Sequence, residues 1–283
     1  MPVIDELMKT PALSGAGEDV FATYAAGTTV NWSDDLEELH EEVSRDHFMD
    51  VWTRTVIMEA TLPIIPADGV IVDAGCSSGY LLEDLRDERP DALLIGVDLV
   101  AAGLRRAHDS VPSAELLLAD VCDLPLSDGV ADAVLSANLL EHVPDDVGAL
   151  REFARVLKPG GRVAIVVPAG PSTYDYYDKF LDHERRYARR EMAKKGEEVG
   201  LRVLSDRYIG SLVYPAFWAV KQRNRRRYPN PSPEEMHELV ERNIQKTTKS
   251  KLGAASAKLE RLLGRRGMSL PFGIRSFVVF ERP

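Results

Sequence analysis

The chain has 283 residues and 45% hydrophobic content, enough to bury a sizeable core, and this composition excludes a disordered or fibrous polymer. A formal net charge of −10 and a pI of 5.2 argue against a general nucleic-acid binder, which is usually basic. The two cysteines, Cys76 and Cys122, cannot make a disulfide framework; they read as small residues in a reducing compartment, with no metal set expected. With no early basic segment leading into an apolar run and no run of membrane-spanning length, a soluble, cytoplasmic protein is expected.

In chain order, residues 1–64 read as a helical and irregular N-terminal cap that ends near Pro63 and Pro66. It holds Tyr24, Trp32, Phe48 and Trp52 and an acidic run from Asp34 to Glu42, in which Glu41 and Glu42 can pair with Arg45 on a solvated helix face. Residues 65–208 then alternate strand and helix, as a doubly wound sheet requires. The run from Val70 to Val72 ends in Asp73 and the small-residue turn Ala74-Gly75-Cys76-Ser77-Ser78-Gly79, and Leu81, Leu82 and Leu85 mark the apolar face of the next helix. Asp98 and Leu99 close a second strand, and Asp120 and Val121 follow a third. Asn138 ends the strand that contains Ala133 to Ser136. A helix stripe of Leu150, Phe153, Ala154 and Leu157 leads into a Pro159-Gly160-Gly161 turn, with a fifth strand at residues 163–167. A sixth strand is expected at residues 201–204 and a last one at 276–280. Residues 209–272 form an insertion too long for an ordinary loop, and 273–283 return to the core.

Three acids therefore stand at or just beyond the ends of successive strands. Gly75 and Gly79 allow a tight turn and close approach of a ligand to the backbone. A dinucleotide fold would show G-x-G-x-x-G, but Ser77 and Tyr80 occupy its second and third glycine positions. Asp73 would repel a phosphate and suits a cationic amino group. Asp98 has the spacing for ribose hydroxyls, and Asp120 can meet an adenine amino group. The plainer role for any one of these acids is to cap a strand-to-helix turn.

These motifs, together with Leu124-Pro125-Leu126-Ser127-Asp128, Asn138-Leu139-Leu140-Glu141-His142 and Val156-Leu157-Lys158-Pro159-Gly160-Gly161-Arg162-Val163, resemble the class I S-adenosylmethionine-dependent methyltransferases over roughly residues 65–208. The family often has glycine where Ser77 stands. The resemblance implies an α/β, Rossmann-like, doubly wound seven-stranded sheet with an N-terminal helical cap and a helical insertion before the last strand. It also implies S-adenosylmethionine as cofactor, held by Asp73, Gly75, Cys76, Ser77, Gly79, Asp98, Leu99, Asp120, Val121 and Asn138. In this family such additions to the core cover the methionine end of the cofactor and select the acceptor.

The aromatic-rich stretch Tyr174 to Tyr187 suits a flat ligand, with Tyr174, Tyr177 and Phe180 as substrate contacts, and equally suits the core of a lid. His183 within it can be a general base or can lock that lid. More narrowly, the chain is similar to bacterial indole C3-methyltransferases that build pyrroloindolines from tryptamine or tryptophan derivatives. That resemblance implies Tyr24, Glu38 and His183 as catalytic residues, with Glu37, Glu41 or Glu42 as alternatives to Glu38. His183, oriented by Glu38, would accept the indole N1 proton directly or through Tyr24.

A second possibility is O- or N-methylation of a quinone, phenol or polyprenol-linked acceptor at a membrane surface. Tyr214 to Val220, followed by Lys221, Arg223, Arg225, Arg226 and Arg227, could rest on an anionic bilayer or form a solvated helix end. A third is a non-catalytic interaction protein, which the three acids oppose. The charged helical stretch 229–266 can close over an acceptor or pack against a second subunit as a homodimer.

Overall fold

The strand Val70–Ala74 (β2) is buried at all five positions, as expected for a strand covered on both faces. It pairs in parallel with Leu93–Asp98 (β3) on one side and with Ala131–Ala137 (β5) on the other. The computed structural model describes residues 4–13, 19–25, 45–247, 250–264 and 268–283.

Beyond β3 lies Glu115–Leu118 (β4), and beyond β5 lie Leu157–Pro168 (β6), Arg275–Glu281 (β8) and Arg202–Ile209 (β7). Strands β8 and β7 are antiparallel to their neighbours, and the rest of the sheet is parallel. The sheet has eight strands, not the expected seven. The extra one is the two-residue strand Ala22–Thr23 (β1), which pairs with Leu117 and Leu118 at the β4 edge. Backbone pairing over two residues leaves no sequence period, so only the fold reveals it. The Pro159-Gly160-Gly161 turn is also corrected. It lies within β6 as an irregularity between the Ala131–Leu157 and Ala133–Arg162 pairs, with Gly160 at φ +81°.

Helices Tyr80–Glu88 (α3) and Ala101–Ser110 (α4) follow β2 and β3, and Asp146–Val156 (α5) follows β5. Asp145 caps α5 by accepting from Gly148 N at 2.8 Å. Before the sheet come the short helix Ile4–Leu7 (α1) and Phe48–Thr61 (α2), whose Trp52 is buried in the core face it shares with Ile71, Leu82 and Phe277. Tyr176–Phe180 (α6) and Glu191–Glu198 (α7) lie between β6 and β7. Tyr214–Arg227 (α8), Pro233–Thr247 (α9) and Lys251–Gly264 (α10) lie between β7 and β8. Among the described residues, no helix is long and apolar enough to cross a membrane.

The strand order reverses between β2 and β5. Chain progress runs outward through β3 and β4 on one side and through β6 on the other. In open α/β sheets this reversal opens a crevice beyond the C-terminal strand ends, where ligands bind. Asp73, Asp98, Asp120 and Asn138 all lie on that edge.

Candidate active site

The turn after β2 fits closely against its surroundings. Gly75 sits at φ +78° and Gly79 at φ +82°, and a Cβ on Gly75 would lie 2.9 Å from Leu139 Cβ. Ser77 has φ +45°, so the glycine common at this position in the resembling family has a backbone reason. Across the crevice Asn138 has φ +54°. Left-handed non-glycine residues persist where the surroundings over-determine them, and they concentrate at functional edges.

The three acids differ in how they are held. Asp73 is 2% exposed, and its Oδ2 has no hydrogen-bond partner among the described residues. Burial, and secondarily the Asp98 carboxylate, push the Asp73 carboxyl up to about 8. Asp98 accepts Ser77 N at 2.8 Å through Oδ2 and Val100 N at 2.9 Å through Oδ1, so both oxygens are oriented by backbone. Asp120 Oδ1 accepts Cys122 N at 2.8 Å in a turn of its own making. Turn capping leaves each carboxylate able to accept further hydrogen bonds, because a carboxylate has about four lone-pair directions. Leu99 and Asn138 are half-buried beside this edge, Val121 and Cys76 are buried, and Gly96 leaves room for Cys76 Sγ, which an added Cβ would meet at 2.9 Å. The edge offers one uncompensated buried carboxyl and two pre-oriented carboxylates, which suits a cationic amino group beside a polyhydroxyl group.

On the other side of β5, residues 183–187 strap onto the turn 140–146. Glu184 N donates to Glu141 O at 2.8 Å, and the Tyr187 hydroxyl has Asp146 Oδ2 at 2.8 Å and Leu140 O at 2.9 Å as acceptors for its single hydrogen. The carboxylate bonded to His183 is Asp178, whose Oδ1 lies 3.1 Å from His183 Nδ1. Asp178 is fully buried and also accepts Arg186 Nε at 2.6 Å and Lys221 Nζ at 3.1 Å. These cations and the histidine hold its carboxyl well below the usual carboxylate range despite burial. Lys221 is 6% exposed and donates to Asp175 Oδ1 at 2.6 Å, so it belongs to this network and not to a solvated helix end.

Of the expected catalytic residues, Glu38 and its alternatives Glu37, Glu41 and Glu42 lie outside the described residues, as does Trp32. Tyr24 follows β1, and its backbone N donates to Leu118 O at 2.9 Å. Strand β1 stands four places from β5 in the sheet, about 19 Å at the usual strand spacing. Burial, and secondarily the Asp5 carboxylate, raise the pKa of the Tyr24 phenol. Of the expected substrate contacts, the Tyr174 hydroxyl donates to His183 O at 2.7 Å, Tyr177 lies under the Lys221 ammonium, and Phe180 meets the His237 ring at 5.8 Å. Sequence reasoning missed Asp178 as the partner of His183, although its five-residue spacing within the aromatic stretch was visible. It also gave no role to Glu141 and His142.

Residues 72–165 match the family described as "Methyltransferase domain". A Streptomyces fradiae relative, an uncharacterised 37.1 kDa protein in transposon TN4556, is 36% identical over 48% of this chain and 40% of its own length. The 27-O-demethylrifamycin SV methyltransferase of Amycolatopsis mediterranei is 29% identical over 55% of this chain and 58% of its own length. The chain thus spans about half the length of these curated relatives. A chain from the complex between the Haloferax volcanii Trm112 methyltransferase activator and a methyltransferase has the same fold. It aligns with a TM-score of 0.57 and 21% identity, covering 88% of this chain and 95% of that one. Over residues 72–165 the chain is thus similar to methyltransferase domains, and its fold is one that solved methyltransferases share. The particular acceptor is a separate question.

Proposed function

We propose that this protein transfers a methyl group from S-adenosylmethionine to a small aromatic acceptor. The observation that carries the reading is the edge of Asp73, Asp98 and Asp120 beside the Gly75 turn. Asp73 Oδ2, buried and without a donor among the described residues, suits the cofactor's amino group. Asp98 would bond the ribose hydroxyls with oxygens already aimed by Ser77 N and Val100 N. Asp120 would take the adenine amino group, with Leu99 and Val121 against the base. Gly75, Cys76, Ser77 and Gly79 let the backbone approach the methionine half, and Asn138 closes the far side. When bound, the cofactor supplies a sulfonium methyl electrophile, so the protein's task is chiefly alignment and exclusion of water.

For the acceptor atom, the reading favours a phenol or hydroquinone oxygen over indole C3. The indole scheme needs Tyr24, a cap glutamate and His183 together, and Tyr24 stands on the far edge of the sheet. The O-methyl group implied by the rifamycin relative's name points the same way. Tyr174, Tyr177 and Phe180 would line the acceptor side.

Carbon NMR of products from carbon-labelled S-adenosylmethionine tests this with a panel of phenols, hydroquinones, tryptamines and tryptophan cyclic dipeptides. A labelled methoxyl carbon is expected. A labelled methyl on a quaternary carbon would restore indole C3 chemistry, and no labelled product from any acceptor would remove the small-aromatic reading.

A further inference from the structure

We propose that Glu141, His142 and His183 form a binding site for a divalent first-row metal ion such as Zn2+. Glu141 and His142 lie in the short turn that follows Asn138, and the strap from 183 to 187 brings His183 onto that turn. One donor atom from each residue lies within 4.8 Å of the other two. An ion about 2.0–2.2 Å from each donor would draw them to roughly 3.4 Å apart, within reach of side-chain torsions.

A second observation is independent of this clustering. Glu141 is 1% exposed, and its Oε2 has no hydrogen-bond partner among the described residues. A buried carboxylate oxygen is costly without a donor or a cation. A metal ion beside it supplies the missing charge.

The support of His183 has the form metal sites use. A ligating imidazole usually gives its other ring nitrogen to a carboxylate, which fixes the ring and raises its basicity. Here Nδ1 of His183 is on Asp178 Oδ1 at 3.1 Å, leaving Nε2 as the ligating atom, and Asp178 is itself fixed by Arg186. The His142 ring meets that of His183 edge-on at 4.7 Å between centroids. Two imidazoles and one carboxylate leave coordination positions open, the donor set of catalytic zinc and of 2-His-1-carboxylate iron sites.

The purpose of the ion rests on the O-methylation reading. An open position takes the acceptor oxygen, whose proton leaves to solvent. The oxygen lone pair then forms the O–CH3 bond, and the electrons of the broken S–CH3 bond remain on sulfur. Metal binding itself does not depend on that purpose.

The test uses the full chain without an affinity tag, stripped with a chelator and titrated with Co2+ by visible absorption and calorimetry. One equivalent of Co2+ is expected, with the absorption of a four- or five-coordinate ion, displaced by one equivalent of Zn2+. Glu141→Gln and His142→Ala should each weaken binding at least tenfold while S-adenosylhomocysteine binding is kept. Wild-type binding well below one equivalent would overturn the site, as would an unchanged affinity and spectrum in His142→Ala. Should the variants fail to fold, the wild-type stoichiometry and spectrum decide. Loss of S-adenosylhomocysteine binding by the wild type would count against the methyl-transfer reading alone.

Discussion

The two sides of β5 use carboxylates in opposite ways. On the β2–β4 side, Asp98 and Asp120 accept backbone N–H groups, and Asp73 Oδ2 has no donor among the described residues. On the strap side, Asp175 and Asp178 are buried but matched to Lys221 and Arg186. A carboxylate satisfied by the protein's own cations builds structure, whereas one aimed by backbone and left short of a donor marks a place for a ligand. Substitutions on the two sides should therefore separate stability from binding.

The largest effect is expected on the strap side. Lys221→Ala leaves Asp175 and Asp178 buried with one cation fewer, and breaking such a pair typically costs about 3–5 kcal/mol. Denaturant unfolding should show that loss, while cofactor affinity of the protein that remains folded changes little. A loss below about 1 kcal/mol would mean that water or another group compensates there.

On the binding side the order reverses. Asp98→Ala removes charge-assisted hydrogen bonds worth about 1.5–3 kcal/mol each, so S-adenosylhomocysteine affinity should fall by roughly 10–100-fold or more in calorimetry. Thermal stability should fall less than in Lys221→Ala. Equal affinity in Asp98→Ala and wild type would remove the ribose assignment.

Gly96→Ala links the two effects. Its Cβ would meet Leu116 Cδ2 at 2.8 Å and Cys76 Sγ at 2.9 Å, and overpacking of this kind costs about 1–3 kcal/mol. Because Cys76 belongs to the turn after β2, cofactor affinity should drop with stability, which paired unfolding and binding measurements would show.

The remaining effect is a pH dependence. With its carboxyl raised to about 8, Asp73 keeps a proton in the folded protein that it loses in the unfolded chain near pH 4. Its contribution to stability without cofactor is complete below about pH 4 and is lost as pH rises to about 8. Asp73→Asn should flatten that part of the stability profile in urea titrations across the same range.

The crevice edge of the sheet was largely legible in the sequence because apolar runs ending in Asp73, Asp98 and Asn138 report both strand and edge. The strap was not. Lys221 meets Asp178 across 43 residues, and His183 stands far along the chain from Glu141 and His142. Buried polar partners leave no 2- or 3.6-residue period, so periodicity places Lys221 in a basic cluster and no spacing motif joins Glu141, His142 and His183. Aromatic density did direct attention to Tyr174–Tyr187, but the same side chains serve packing, as the Tyr174 bond to His183 O shows.

The most direct test is calorimetric titration of the wild type with S-adenosylmethionine at pH 7, repeated in buffers of different ionisation enthalpy. The account predicts one site per chain and release of close to one proton, because the cofactor's amino group forces Asp73 to ionise, with the release abolished in Asp73→Asn. Absence of binding, or the same proton release in Asp73→Asn as in wild type, would contradict it.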